Sequence, residues 1–265
     1  MNLSTTIAPH LPYLRRYARA LTGTQASGDA YVVAVLETLV AAPESFDADL
    51  PPRLALYRAL SKVWNSVSVN HESEGAALSQ LPVDRRIEAL TPKPRQAFLL
   101  VAVEGFTPAE AAQILDVNPQ EIAALLTEAG TEISDQIVAD VLIIEDEPLI
   151  AMDLEAIVTE LGHTVQAVAR THSEAVVAVE KKSPGLVLAD IQLADGSSGL
   201  EAVHEILGSI EVPVIFITAY PERLLTGNRP EPTFLITKPF QPEMVKALIS
   251  QALFFESSAR RRKAA

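Results

Sequence analysis

The sequence contains no cysteine. That excludes a disulfide framework, a thiolate zinc site and a cysteine nucleophile. It also lacks any apolar run approaching the ~18 residues of a transmembrane helix. The N-terminus has no basic stretch leading into an apolar one, the mark of a secretory signal. A cytoplasmic protein without membrane contact is therefore expected. Cations are scarce as well: 21 Lys and Arg stand against 34 Asp and Glu, a formal charge of −13. A surface of that sign repels nucleic acid and anionic membranes at long range and favours partners with basic segments. Apolar residues, in contrast, make up 48% of the 265. That is material for two cores, in a chain whose length fits two domains better than one.

The chain divides into halves of different texture near residue 138. Residues 1–65 show apolar positions at helical spacing, as in Leu11, Leu14, Tyr17, Ala18 and Leu21, with no alternating strand pattern. Breaks at Gly23-Thr24, Ala41-Ala42-Pro43 and Pro51-Pro52 separate three helices. Residues 66–85 are polar and weakly periodic and read as a linker. Residues 86–137 read as three more helices. Thr107-Pro108 with Glu110, and Asn118-Pro119 with Glu121, supply an N-cap, a proline at the first helical position and an acid at the third. From 139 to 256 five short Val/Leu/Ile-rich runs alternate with helical stretches. Near-continuous apolar strands of that kind predict a doubly wound, five-stranded parallel sheet covered on both faces. Residues 257–265 are a basic tail, expected to be frayed.

In a doubly wound sheet, function collects at the carboxyl ends of the strands. Those ends read Glu145-Asp146-Glu147 after the first strand, Asp190 after the third, Thr218 after the fourth and Lys238-Pro239 after the fifth. Clustered carboxylates suit a hard divalent cation such as Mg²⁺. An aspartate there can accept a phosphoryl group as an acyl phosphate. A lysine and a hydroxyl would then hold the phosphoryl oxygens. A metal-assisted phosphate-ester enzyme could draw on the same acids. Each residue alone is more often a helix cap or a turn; four at the correct strand ends form a joint signal.

The helix-turn-helix pattern of residues 93–133 holds a contradiction. Its last helix, Asn118 to Ile133, contains no Lys and no Arg. From Glu88 to Asp135 two cations (Lys93, Arg95) face eight acids. DNA affinity grows with the number of phosphates neutralised, and base and phosphate contacts rely on cations and amides. Where a DNA reader would carry them, this helix has Ala123, Ala124 and Thr127, flanked by Glu121 and Glu128.

Two resemblances follow from these motifs. VLIIEDEP, VLADIQL, FITA and ITKPF make residues 139–256 resemble a two-component receiver domain. That likeness implies Asp190 as phosphoacceptor, with Thr218 and Lys238 as its catalytic neighbours. It implies a Mg²⁺ site of Asp146, Asp190, the Gln192 carbonyl and, through water, Glu145. It implies no enzymatic turnover beyond the receiver's own phosphorylation and dephosphorylation. Receivers often place an aromatic switch residue three before the lysine. Leu235 stands there, and Tyr220 and Phe234 are candidate substitutes. Residues 86–137 resemble region 4 of extracytoplasmic-function sigma factors, and the first helices resemble region 2. Sigma-like half first, receiver second and an acidic region 4 together resemble the PhyR-type response regulators of the alphaproteobacterial general stress response. The resemblance implies an anti-anti-sigma factor: phosphorylation of Asp190 by a sensor histidine kinase releases the sigma-like half to sequester a small NepR-type anti-sigma factor, without direct DNA binding. The alternative is a response regulator acting at promoters itself. Candidate partner contacts are Glu121, Ala124 and Glu128, with Arg15, Arg16 and Arg19 of the first long helix. Tyr220, Arg223 and Phe234 are candidate elements of an interdomain switch.

Overall fold

A computed structural model describes residues 3–73, 93–134, 138–193, 196, 198–221, 224–225 and 232–263. The chain forms two compact units, Met1–Ala129 and Gly130–Ala265.

The first unit is helical: α1 (Leu3–Ile7), α2 (Leu11–Thr22), α3 (Gln25–Ala41), α4 (Pro52–Ser73), α5 (Lys93–Ala102), α6 (Pro108–Leu115) and α7 (Pro119–Ser134). Gly23, at φ 74°, closes α2, and the Thr24 hydroxyl caps α3 by accepting from the Ser27 N–H. Helices α2 and α3 approach closely at Gly28, where a Cβ would lie 2.5 Å from the Arg19 nitrogen. Leu14, Tyr17, Val35, Leu39, Leu56, Tyr57, Leu60 and Trp64 fill the core between α2, α3 and α4. In one respect the linker expectation is corrected: α4 does not stop at residue 65 but continues to Ser73. Extending an existing helix costs far less than starting one, so weakly periodic residues can follow a strong helix into register. The rest of the expected linker lies outside the described residues.

The turn signals behave as predicted. Thr107 and Glu110 form a reciprocal capping box at α6, and the Asn118 side chain accepts from the Glu121 N–H at 2.8 Å to cap α7. The backbone N–H of Thr107 donates to the Glu110 carboxylate, which holds its pKa below the usual range.

The second unit contains β1 (Asp140–Ile144), α8 (Pro148–Glu160), β2 (Thr164–Ala169), α9 (His172–Lys181), β3 (Leu186–Asp190), α10 (Gly199–Leu207), β4 (Val214–Thr218), β5 (Phe234–Thr237) and α11 (Pro242–Lys263). The strands are parallel in the order β2-β1-β3-β4-β5. β1 and β3 are neighbours whose connections leave to opposite sides, so the topological switch point of the sheet lies between them. Leu142, Ile144, Val187, Ala189, Phe216 and Leu235 fill one face with Ala202, Val203 and Ile206 of α10. The basic tail is corrected too: α11 runs on to Lys263 rather than fraying after 256. Ala, Arg and Lys are strong helix formers, so the tail extends the helix it follows.

Candidate functional site

The strand order explains why the acids converge. Glu145 follows β1 and Asp190 ends β3, so the adjacency of β1 and β3 sets them side by side at the switch point. Lys238 follows β5 and reaches back across the rim. Its ammonium lies 2.7 Å from Asp190 Oδ2, 2.9 Å from Glu145 Oε2 and 3.4 Å from Glu147 Oε1. Glu145 is fully buried and Asp190 nearly so. Burial raises the Glu145 carboxyl above its ordinary pKa, and its bond to Lys238 only partly offsets this. Burial alone would lower the Lys238 ammonium, but its bonds to Asp190 and Glu145 outweigh that, and its pKa lies above the ordinary value.

Among the described residues, carboxylate oxygens of Glu145, Glu147 and Asp190 lie within 4.8 Å of one another. An all-oxygen anionic cluster fits a hard cation such as Mg²⁺. Glu147 joins Glu145 and Asp190 in it, and Asp146, between the two glutamates in the chain, is half-buried. Lys238 bridges the fully buried Glu145 carboxylate and the exposed Glu147 carboxylate. Gln192 turns back on the site, its N–H donating to Asp190 Oδ1 at 3.2 Å, and bridges to Ser198.

Thr218 ends β4, one residue beyond Ile217, the strand partner of Asp190. Its buried hydroxyl accepts from the Tyr220 N–H at 3.0 Å. Tyr220 itself is exposed. Phe234 does not take the place of the switch aromatic. Thr218 pairs with Thr237 across β4 and β5, so by alternation Leu235 shares its face and Phe234 lies on the other, buried. Arg223 lies outside the described residues.

The sequence reading missed Gly199. It starts α10, and a Cβ there would lie 1.7 Å from the Asp190 carbonyl oxygen and 2.9 Å from its carbonyl carbon. The helix therefore sits on the backbone of Asp190 itself, a contact open only to glycine. Glycine after Ser197-Ser198 at a strand-helix junction was the available signal.

In the first unit, α7 buries Ile122 and Ala129 and exposes Glu121, Ala123, Ala124, Thr127 and Glu128. The exposed face is thus small and acidic. The candidate arginine contacts all lie in ion pairs. Arg19 is fully buried, and its guanidinium bonds both oxygens of Asp29 at 2.7 and 3.1 Å. Arg15 donates to the same carboxylate at 3.3 Å. Arg16 is buried against Glu104. Arg16 and Arg19 are thus buried in ion pairs that hold helices together, while Arg15 is half-buried. No described helix is long and apolar enough to cross a membrane.

A helical, sigma-like unit followed by a five-stranded receiver with its acids, hydroxyl and lysine at the carboxyl rim defines a response regulator with a sigma-like domain. Three family models match the chain: the "Sigma2 domain of PhyR" over residues 7–61, "Response regulator PhyR, sigma-like domain" over 87–136, and the "Response regulator receiver domain" over 141–250. The chain belongs to the PhyR family of response regulators. It is 58% identical to the phyllosphere-induced regulator PhyR of Methylorubrum extorquens over all of this chain and 99% of that protein. It is also similar to the anti-anti-sigma factor PhyR from Bartonella quintana, at TM-score 0.88 and 53% identity over 99% of this chain and 100% of that one. The response regulator PhyR from Brucella abortus matches at TM-score 0.86 and 56% identity, over 98% and 97% of the two chains.

Proposed function

We propose that this chain is a phosphorylation-activated anti-anti-sigma factor of the cytoplasm. A sensor histidine kinase phosphorylates Asp190, and the sigma-like unit then sequesters a small NepR-type anti-sigma factor, freeing a true sigma factor for stress transcription. The observation that carries this reading is α7, a sigma-like recognition helix whose exposed face offers Glu121, Ala124 and Glu128 and no cation. Such a face suits a basic protein segment and repels phosphate, which disfavours the promoter-binding alternative. The family resemblance to an anti-anti-sigma factor supports the same direction.

At the rim, a carboxylate oxygen of Asp190 attacks the phosphorus of the donor. The bond from phosphorus to the donor's histidine nitrogen breaks, and the imidazole leaves with the electron pair. Asp190 and carboxylates of the Glu145–Glu147 segment would hold Mg²⁺, which would supply charge neutralisation for the transferring group. Lys238, paired with Asp190 Oδ2 beforehand, passes to a phosphoryl oxygen as the carboxylate loses its charge to the new bond. The Thr218 hydroxyl accepts from Tyr220 N–H, so its own proton can be donated to another phosphoryl oxygen. The receiver turns over nothing beyond its own phosphorylation and dephosphorylation. A swing of the partner-binding equilibrium from 1:99 to 99:1 needs a differential of ~5.5 kcal/mol between the two states.

The test is capture of the anti-sigma factor of the same bacterium with and without acetyl phosphate and Mg²⁺, in wild type and Asp190→Ala. The variant should take up no phosphoryl group and should lose the donor-dependent gain in capture. Equal capture and equal response to the donor would refute the switch. Specific promoter binding by the phosphorylated protein in a mobility-shift assay would refute the decoy.

A further inference from the structure

A fully buried carboxylate of the first unit lies outside the receiver and away from α7. Glu104 follows α5, and Gly105, at φ 69°, turns the chain immediately after it. Its carboxylate is fully buried. Oε1 accepts two hydrogen bonds from Arg16 of α2, at 2.9 and 3.2 Å. Oε2 accepts from the Tyr57 hydroxyl of α4 at 2.6 Å and from Arg53 of α4 at 3.4 Å. Arg53 donates to the Glu104 backbone carbonyl as well. Around this hub the aromatic rings close: Tyr57 packs on Tyr17 at 5.3 Å and on Phe106 at 4.9 Å, and the Arg53 guanidinium lies 4.3 Å from the Phe106 ring centre.

The donors all come from the region 2-like helices, and the acceptor comes from the region 4-like helices. A buried carboxylate with one partner can be a packing accident. One with three donors from two helices of a different module is a joint. Burial, and secondarily the Glu104 charge, push the Tyr57 and Tyr17 hydroxyls well above their ordinary pKa. Burial lowers Arg16, but Glu104 outweighs it and holds the guanidinium above its ordinary value. The Arg16 guanidinium and the Tyr57 hydroxyl therefore keep their donor forms across the physiological range.

We infer that Glu104 is a positioning residue that locks the region 2-like and region 4-like modules into one rigid body, so that a partner meets both faces at a fixed spacing. For the anti-sigma factor this rests on the proposed function above. The rigidity itself does not. Removing the carboxylate's charge leaves two guanidiniums facing an uncharged group in a buried site, where they repel and draw in water. The modules then come apart locally while each keeps its own core.

The absence of cysteine makes the test direct. Glu37→Cys on α3 and Gln113→Cys on α6 are both exposed positions, and a spin label on each reports the distance between the modules. In the full chain the distribution should be single and narrow, and Glu104→Gln should broaden it at least twofold. Should Glu104→Gln fail to fold, Arg16→Met opens the same joint from the other side and carries the same expectation. Affinity for the NepR-type anti-sigma factor of the same bacterium should fall at least tenfold, while phosphoryl uptake at Asp190 from acetyl phosphate stays unchanged. A distribution as narrow in both variants as in the parent overturns the lock. Broadening without loss of affinity overturns its positioning role. If the parent chain binds no anti-sigma factor, the proposed function fails, and the distance measurement still decides the lock.

Discussion

Gly199 offers the sharpest test of how the fold sets its chemistry. Replacing it with alanine adds one methyl group. The structure places that carbon 1.7 Å from the Asp190 carbonyl oxygen, against the 3.4 Å at which ordinary contact begins. α10 and the end of β3 must therefore part by about as much again as the present gap. Neither can yield easily. The Gly199 N–H bonds the Ile191 carbonyl, and Ser198 pairs with Gln192. The Asp190 side chain is fixed by the Gln192 N–H at 3.2 Å and by Lys238 at 2.7 Å. Overpacking of this kind costs ~1–3 kcal/mol, which lowers the melting temperature of a domain this size by roughly 4–12 °C. Misplacing a reacting group by about 1 Å costs on the order of 10²-fold in rate.

The expectation for Gly199→Ala is then a folded receiver with a modestly lower melting temperature and phosphorylation by acetyl phosphate slowed ~100-fold. Phosphate-affinity gels give the rate, and thermal unfolding gives the stability. The two effects separate the possibilities. A variant that melts lower but is phosphorylated at the parental rate would show that α10 shifts alone and leaves Asp190 in place. A variant equal to the parent in both would refute the close contact itself.

Two further outcomes follow from the structure. Burial lowers the His163 pKa, and its Nδ1 faces the Ala139 N–H at 3.4 Å, so the fold holds this ring neutral. Its contribution is complete above the unfolded-state value of ~6.5 and is lost as pH falls from there through the lower folded value. Thermal unfolding of the parent should decline over that window relative to His163→Gln, and parallel curves would refute the assignment. On α7, Ala123→Lys, Ala124→Lys and Glu128→Lys restore cations to exposed positions beyond the first turn. Non-specific DNA binding at low salt should appear with a log–log salt slope of about −2 to −3, with weaker anti-sigma capture; no DNA binding by a folded variant would show that more than charge separates this helix from a DNA reader.

The parts that could be read in advance are those governed by local chemistry. Runs such as Val141–Ile144 and Leu186–Ala189 are apolar without alternation because both faces of the sheet are covered, and that leaves a plain trace. Thr107, Pro108 and Glu110 announce a helix start because a capping box is built within four residues. The rim acids, Thr218 and Lys238 could be placed because a strand's carboxyl end is fixed once the strand is found. Parts that depend on a distant partner left no such trace. Arg15, Arg16 and Arg19 look like a solvated face until Asp29 and Glu104 are brought to them. That Glu147 lies within reach of Lys238 depends on where the lysine arrives from β5. Gly199 matters only because α10 lands on Asp190.

The misread arginines bear on function more than the correct readings do. A sigma-like fold that binds DNA must keep cations on its outside, because each phosphate contact needs one. In this chain the loss is twofold. The exposed face of α7 has none, and Arg16 and Arg19, which by count alone could have held phosphate, are buried on Glu104 and Asp29. Each of those arginines is withdrawn together with its own carboxylate, so what a partner meets on α7 is set by the acids that stay outside. Cations turned inward hold the sigma-like form, and carboxylates turned outward decide what can recognise it. Shape and charge are thus set by different residues, which is what allows a fold to keep a sigma factor's outline for a protein partner while giving up its hold on phosphate.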